Sequence, residues 1–68
     1  MRYKIEFLKD STDATSVCFH VFSPGPLEVA KREAAELGRT EMLESADGVQ
    51  IRDFNDGAGI VWLKHFDA

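Results

Sequence analysis

Met1, Tyr3, Ile5 and Phe7 alternate with Arg2, Lys4 and Glu6 at the start of this chain. A period of two is the mark of a strand with one dry face and one wet face. A helix through the same residues would scatter the apolar side chains around its axis. The chain must therefore build a sheet, and the remaining sequence has to supply its partners and its cover.

The partners are legible. Ser16 to Phe22 (S-V-C-F-H-V-F) is β-branched and aromatic, and the short polar turn Lys9–Asp13 before it makes an antiparallel hairpin with the first strand the economical arrangement. Ser23-Pro24-Gly25-Pro26 stops the second strand, because proline cannot continue the ladder. Pro26 suits the first turn of a helix. Leu27, Ala30, Ala34 and Leu37 then recur at helical spacing, with Glu28, Arg32 and Glu36 on the far side. Past Gly38 the stripe would place Glu41 and Ser45 in the core, so a break or kink is expected there, with a second short helical turn over Thr40–Glu44; the alternative is an unbroken helix to Ser45, since glycine costs only about 1 kcal/mol in a helix interior. Val49–Phe54 and Gly59–Phe66 read as two more strands, joined by Asn55-Asp56-Gly57-Ala58, whose residues tolerate the positive φ of a hairpin turn. The expected fold is α+β: ββαββ, a four-stranded antiparallel sheet with one helix packed on one face, in a single domain covering residues 1–68.

At 68 residues the domain buries only about 60% of the surface its unfolded chain exposes, so an added source of stability is expected. Cys18 is the sole cysteine, which excludes an internal disulfide, and paired Cys/His metal spacings are missing. Association with another subunit is the route left. Neither a signal-peptide core nor a run of about 18 apolar residues is found, and with the lone cysteine this gives a cytoplasmic expectation and no membrane.

Strand parity sorts the two sheet faces. Tyr3, Ile5, Phe7, Val17, Phe19, Val21, Val49 and Ile51 are expected toward the helix, and Arg2, Lys4, Glu6, Cys18, His20, Phe22, Gln50 and Arg52 away from it. The fourth strand is apolar on both sides. The small Ala30 and Ala34 suggest little room for a large ring, so Val61 and Leu63 are expected inward and Ile60, Trp62 and Phe66 outward; a bulge would reverse this. The helix-free face then gathers Arg2, Lys4, Arg52 and Lys64 against Glu6, beside Trp62, Phe66 and His20, in a chain whose formal net charge is −4. Arg2, Lys4, His20, Arg52, Trp62, Lys64 and Phe66 form the candidate interaction surface. The plainer account is that Lys and Arg stems merely cover the aromatics.

Residues that carry chemistry do not assemble into a site at this level. Cys18 and His20 share a strand face but supply too few ligands for zinc. Asp53-Phe54-Asn55-Asp56-Gly57 fails as a calcium loop, with Gly fifth and Lys64 at position twelve. Ser23–Gly25 lacks the ending of a phosphate loop. Glu33, Glu36, Glu41 and Glu44 read as a solvated helix surface. The two histidines differ in parity, so a Ser/His/Asp arrangement is not expected. No catalytic residue, metal or cofactor is expected.

The stretch from Gly48 to Phe66 resembles a family of short bacterial proteins of unknown function, in which an Ala/Glu/Arg-rich helix precedes a hairpin of the form apolar-x-apolar-Arg-Asp-x-x-(Asp)-Gly closing on Phe. Arg52, Asp53, Asp56, Gly57 and Phe66 match that pattern, and Ala30, Ala34 and Ala35 suit the helix. The resemblance covers about half of the chain and implies the order of elements and a cytoplasmic bacterial setting. The functional expectation is a non-enzymatic module that homodimerises or docks a protein through the helix-free face. The alternative is weak binding of single-stranded nucleic acid or another anionic ligand there, with Trp62, Phe66 and His20 stacking on bases.

Overall fold

The computed structural model describes residues 2–39 and 45–66. In chain order the elements are β1 (Tyr3–Leu8), β2 (Val17–Ser23), α1 (Leu27–Leu37), β3 (Gly48–Asp53) and β4 (Gly59–His65). The strands form one sheet in the order β2-β1-β3-β4, antiparallel at every step. This is the expected ββαββ order, and it puts β1 and β3 in the centre. The expected helical turn over Thr40–Glu44 lies outside the described residues.

The core is the dry side of the two central strands closed by α1. Tyr3, Ile5, Phe7, Val49 and Ile51 are buried with Ala30 and Ala34 of the helix and with Ala46. Burying a side chain the size of Ile5, Phe7 or Ile51 contributes about 1.5–3 kcal/mol. Leu27 and Leu37 complete the helix stripe from its two ends. The helix starts after Pro26, without a side-chain cap, and ends at Gly38, whose N–H bonds to the carbonyl of Ala34. That end falls where the periodicity fails.

Trp62 and Phe66 pack against this core, and the face expected for them is corrected. The cause is a register shift in the β3–β4 ladder. Trp62 stands opposite Ile51, but Ile60 stands opposite Arg52, so Val61 is an extra residue. Trp62 therefore shares the helix side with Ile51, while Leu63, opposite Gln50, and Ile60 share the other side. Val61 and Leu63, expected inward, are 39% and 44% exposed. The alanines do not keep the tryptophan out: Trp62 and Phe66 both pack against the core cluster that includes Ala30 and Ala34.

The β1–β2 connection is held by its own side chains. Asp10 Oδ1 accepts from the N–H and hydroxyl of Thr12, and Asp13 Oδ1 does the same for Thr15. Ser16 Oγ donates to the carbonyls of Asp10 and Asp13. These Asx-type bonds hold both carboxyls below the usual aspartate range, the Thr12 hydroxyl acting on Asp10 and the Thr15 hydroxyl on Asp13. So stiffened, the loop bends over the helix-free side of the sheet, where the carbonyl of Ala14 accepts from Gln50 Nε2 at 3.3 Å.

Candidate functional site

Two rows of side chains cross the helix-free side. One runs Phe22, Lys4, Arg52, Ile60 and the next His20, Glu6, Gln50, Leu63. The centre of this surface is closed. Glu6 is buried, and its Oε1 accepts from Arg52 Nε at 2.6 Å and Gln50 Nε2 at 2.7 Å, while Lys4 Nζ lies 3.3 Å from Oε2. Burial by itself would raise the Glu6 pKa. The hydrogen bonds from Gln50, Arg52 and Lys4 and the charge of Arg52 outweigh it and hold the carboxyl below its ordinary value. Arg52 also donates from Nη1 to the carbonyl of Ala58, tying the β3–β4 turn to the same group.

Arg2, expected on this surface, is elsewhere. It donates from Nε and Nη2 to both oxygens of Asp53, at 3.1 and 3.0 Å, and its guanidinium lies over the Tyr3 ring. That forked bond, more than any other effect, keeps the Asp53 carboxyl below the usual range. Lys64 stands opposite Val49 and so belongs to the helix side. Of the seven residues expected to form the interaction surface, Lys4, His20 and Arg52 lie there, and Arg2, Trp62, Lys64 and Phe66 do not. The expected basic face is reduced to one net positive charge, from Lys4 and Arg52 against Glu6.

Apolar side chains surround this ion-paired centre. Phe22 is 46% exposed and Phe54 45%, their ring centroids 6.0 Å apart. His20 meets Phe22 edge-on, and Lys4 Nζ lies over the same ring. Across the sheet, Ile60, Val61 and Leu63 are exposed along β4. Phe54, expected only as the end of a strand, and Leu63, expected inward, both belong to this exposed rim. The signal for Phe54 was its place beside a turn, where a large ring has nothing to pack on but a neighbouring edge.

A second cluster joins three segments far apart in sequence. Ser11 Oγ donates to Asp47 Oδ2 at 2.9 Å and lies 2.7 Å from His65 Nδ1; the Ser11 N–H also bonds to Asp47 Oδ2. The Ser11 N–H and hydroxyl, in that order, and then the charge of His65 lower the Asp47 pKa. These are the residue types of a hydrolytic triad in a different wiring. In a triad histidine takes the serine proton and the carboxylate orients the histidine. Here the serine hydroxyl bonds directly to Asp47, and the His65 ring nitrogen lies against that same Oγ and not against the carboxylate. The cluster pins the β1–β2 loop to the ends of β3 and β4, with Asp47 N–H on the Leu8 carbonyl and Phe66 N–H on the Asp47 carbonyl.

Cys18 is exposed in a register shift of the β1–β2 ladder and its Sγ lies 3.5 Å from the Phe7 carbonyl. Among the described residues no group of His, Cys, Asp and Glu is placed to hold a metal ion, and no helix is long and apolar enough to cross a membrane. The fold and surface define an α+β domain with a helix on one side of an antiparallel sheet and an apolar-rimmed, ion-paired surface on the other. No protein-family model, curated protein or solved structure matches this chain.

Proposed function

We propose that this chain is a small non-enzymatic interaction module, working in the cytoplasm, whose protein-contact surface is the apolar rim of the helix-free side. One observation carries the reading: Arg2, Lys4 and Arg52 are bound to internal carboxylates, while Phe22, Phe54, Ile60, Val61 and Leu63 stay exposed. A surface of exposed apolar groups around an ion-paired centre with one net positive charge favours protein over polyanion. The nucleic-acid alternative loses its two main stacking rings, Trp62 and Phe66, to the core, and Arg2 and Arg52 to ion pairs.

Panning a random peptide library on the immobilised domain tests this. Enriched peptides are expected to lose binding with Phe22→Ser or Leu63→Lys. Failure to enrich any peptide, together with oligonucleotide-induced NMR shifts at Lys4 and Arg52 that fade with salt, would replace it by the anionic-ligand reading.

A further inference from the structure

Strand β4 has the composition of an interior strand and the position of an edge. Ile60, Val61, Trp62 and Leu63 are four apolar residues in a row, with Trp62 on the helix side and Ile60 and Leu63 on the other. Apolar groups on both sides are usual for strands that have neighbours on both edges. Yet among the described residues β4 ends the sheet, bonded to β3 alone, and every residue from Gly59 to His65 except Trp62 is exposed. The N–H and C=O groups along its free side are a template for another strand.

We propose that a second copy of this chain occupies this edge, β4 against β4 and antiparallel, joining the two sheets into one. The proposal rests on the protein-contact reading above and names its partner.

Within the strand the edge carries a single lysine, Lys64, near one end beside His65, with Asp67 beyond it; Asp56 stands in the turn at the other end, and no charged residue lies between Gly57 and Leu63. Antiparallel pairing about a two-fold axis near Val61 sets Lys64 of each copy beside the turn that holds Asp56 of the partner subunit, and keeps the two lysines apart. A chain of net charge −4 repels its own copies over most of its surface. This seam carries no carboxylate from Gly57 to Phe66. The other edge, β2, offers no such match. Its nearest charged neighbours along the chain, Asp13 and Glu28, are both acidic, and no lysine or arginine lies within the strand to pair with them. Because the β4 contact uses one edge twice, assembly stops at two copies.

Sedimentation from about 10 µM to about 1 mM is expected to show a reversible monomer–dimer equilibrium, in the range of a small interface. Lys64→Glu is expected to weaken it by about tenfold, since each dimer holds two such pairs. Asp56→Lys alone should weaken it similarly, and the double variant K64E/D56K should restore it. With rising concentration, alternate β4 amides, those turned away from β3, should gain protection from hydrogen exchange. A protein that stays monomeric to about 1 mM overturns the pairing, and peptide binding then decides the broader reading by itself. A dimer that ignores the charge swap and leaves those amides unprotected overturns the β4 seam and leaves the protein-contact reading standing.

Discussion

Gly38 lies against the ring of Phe66: a Cβ added at Gly38 would come within 3.1 Å of the ring's Cζ. The close approach ties the end of α1 to the end of β4. Gly38 has the backbone angles of a right-handed helix, φ −65° and ψ −11°, so its lack of a side chain serves packing and not backbone conformation. Gly38→Ala is expected to change stability by less than about 1 kcal/mol, its backbone-entropy gain offset by displacement of the ring. Gly38→Val should cost about 1–3 kcal/mol. In a Phe66→Ala background that cost should largely vanish, and a double-mutant cycle by urea denaturation measures the coupling.

Ala58 follows Gly57 in the β3–β4 turn, and both have positive φ, 59° and 67°. For alanine this left-handed conformation costs about 1–2 kcal/mol. Ala58→Gly is therefore expected to stabilise the fold by about 0.5–1 kcal/mol after the added entropy of the unfolded chain. Its two backbone bonds, N–H to Asp53 and C=O from Arg52, are untouched. An unchanged or lower denaturation midpoint would show that the turn relaxes around alanine.

Glu6 →Ala should cost about 2 kcal/mol, below the usual 3–5 for a buried pair because Arg52 and Lys4 reach water and can rehydrate. The sign of the pH effect follows from the lowered pKa values of Glu6, Asp10, Asp13, Asp47 and Asp53. Each contributes stability that is complete above the unfolded-state carboxylate range and is lost as pH falls through its folded value. The urea midpoint is expected to stay level from about pH 7 to about pH 5 and to fall below about pH 4.5. Glu6→Ala should make that fall shallower.

Ser11→Ala removes the hydroxyl shared by Asp47 and His65. It is expected to lower the melting temperature by about 5 °C and to speed amide exchange at Ser11 and Asp47. A fluorophosphonate probe should not label Ser11 at neutral pH, because the hydroxyl proton is directed to the carboxylate. Rapid labelling would reverse the wiring assigned to this cluster.

The elements were legible because their signals are local: alternation over Met1–Phe7, the Leu27/Ala30/Ala34/Leu37 stripe, and turn chemistry at Asp56-Gly57. What escaped depends on how distant segments meet. The extra residue at Val61 shifts parity midway along β4, so counting by twos from Val49 misplaces Trp62 and Leu63. Reading Ala30 and Ala34 as a lack of room mistook small side chains for a barrier. Arg52 meets Glu6, and Arg2 meets Asp53, through the pairing of β1 with β3, and strand order has no local code. The Ser11–Asp47–His65 cluster has the same origin, since the three residues adjoin only once both hairpins are docked.

The placement of β1 in the middle of the sheet has a consequence for synthesis. Its first neighbour, β2, follows within a few residues, but its second, β3, does not begin until Gly48. While the intervening helix is being made, Ile5 and Phe7 lack the Val49 and Ile51 that complete their layer, and the Glu6 carboxylate waits without Arg52. Closing the central seam spans most of the chain, a non-local pairing of the kind that slows folding. The nascent domain is most open to misassociation between release of the first hairpin and arrival of the second.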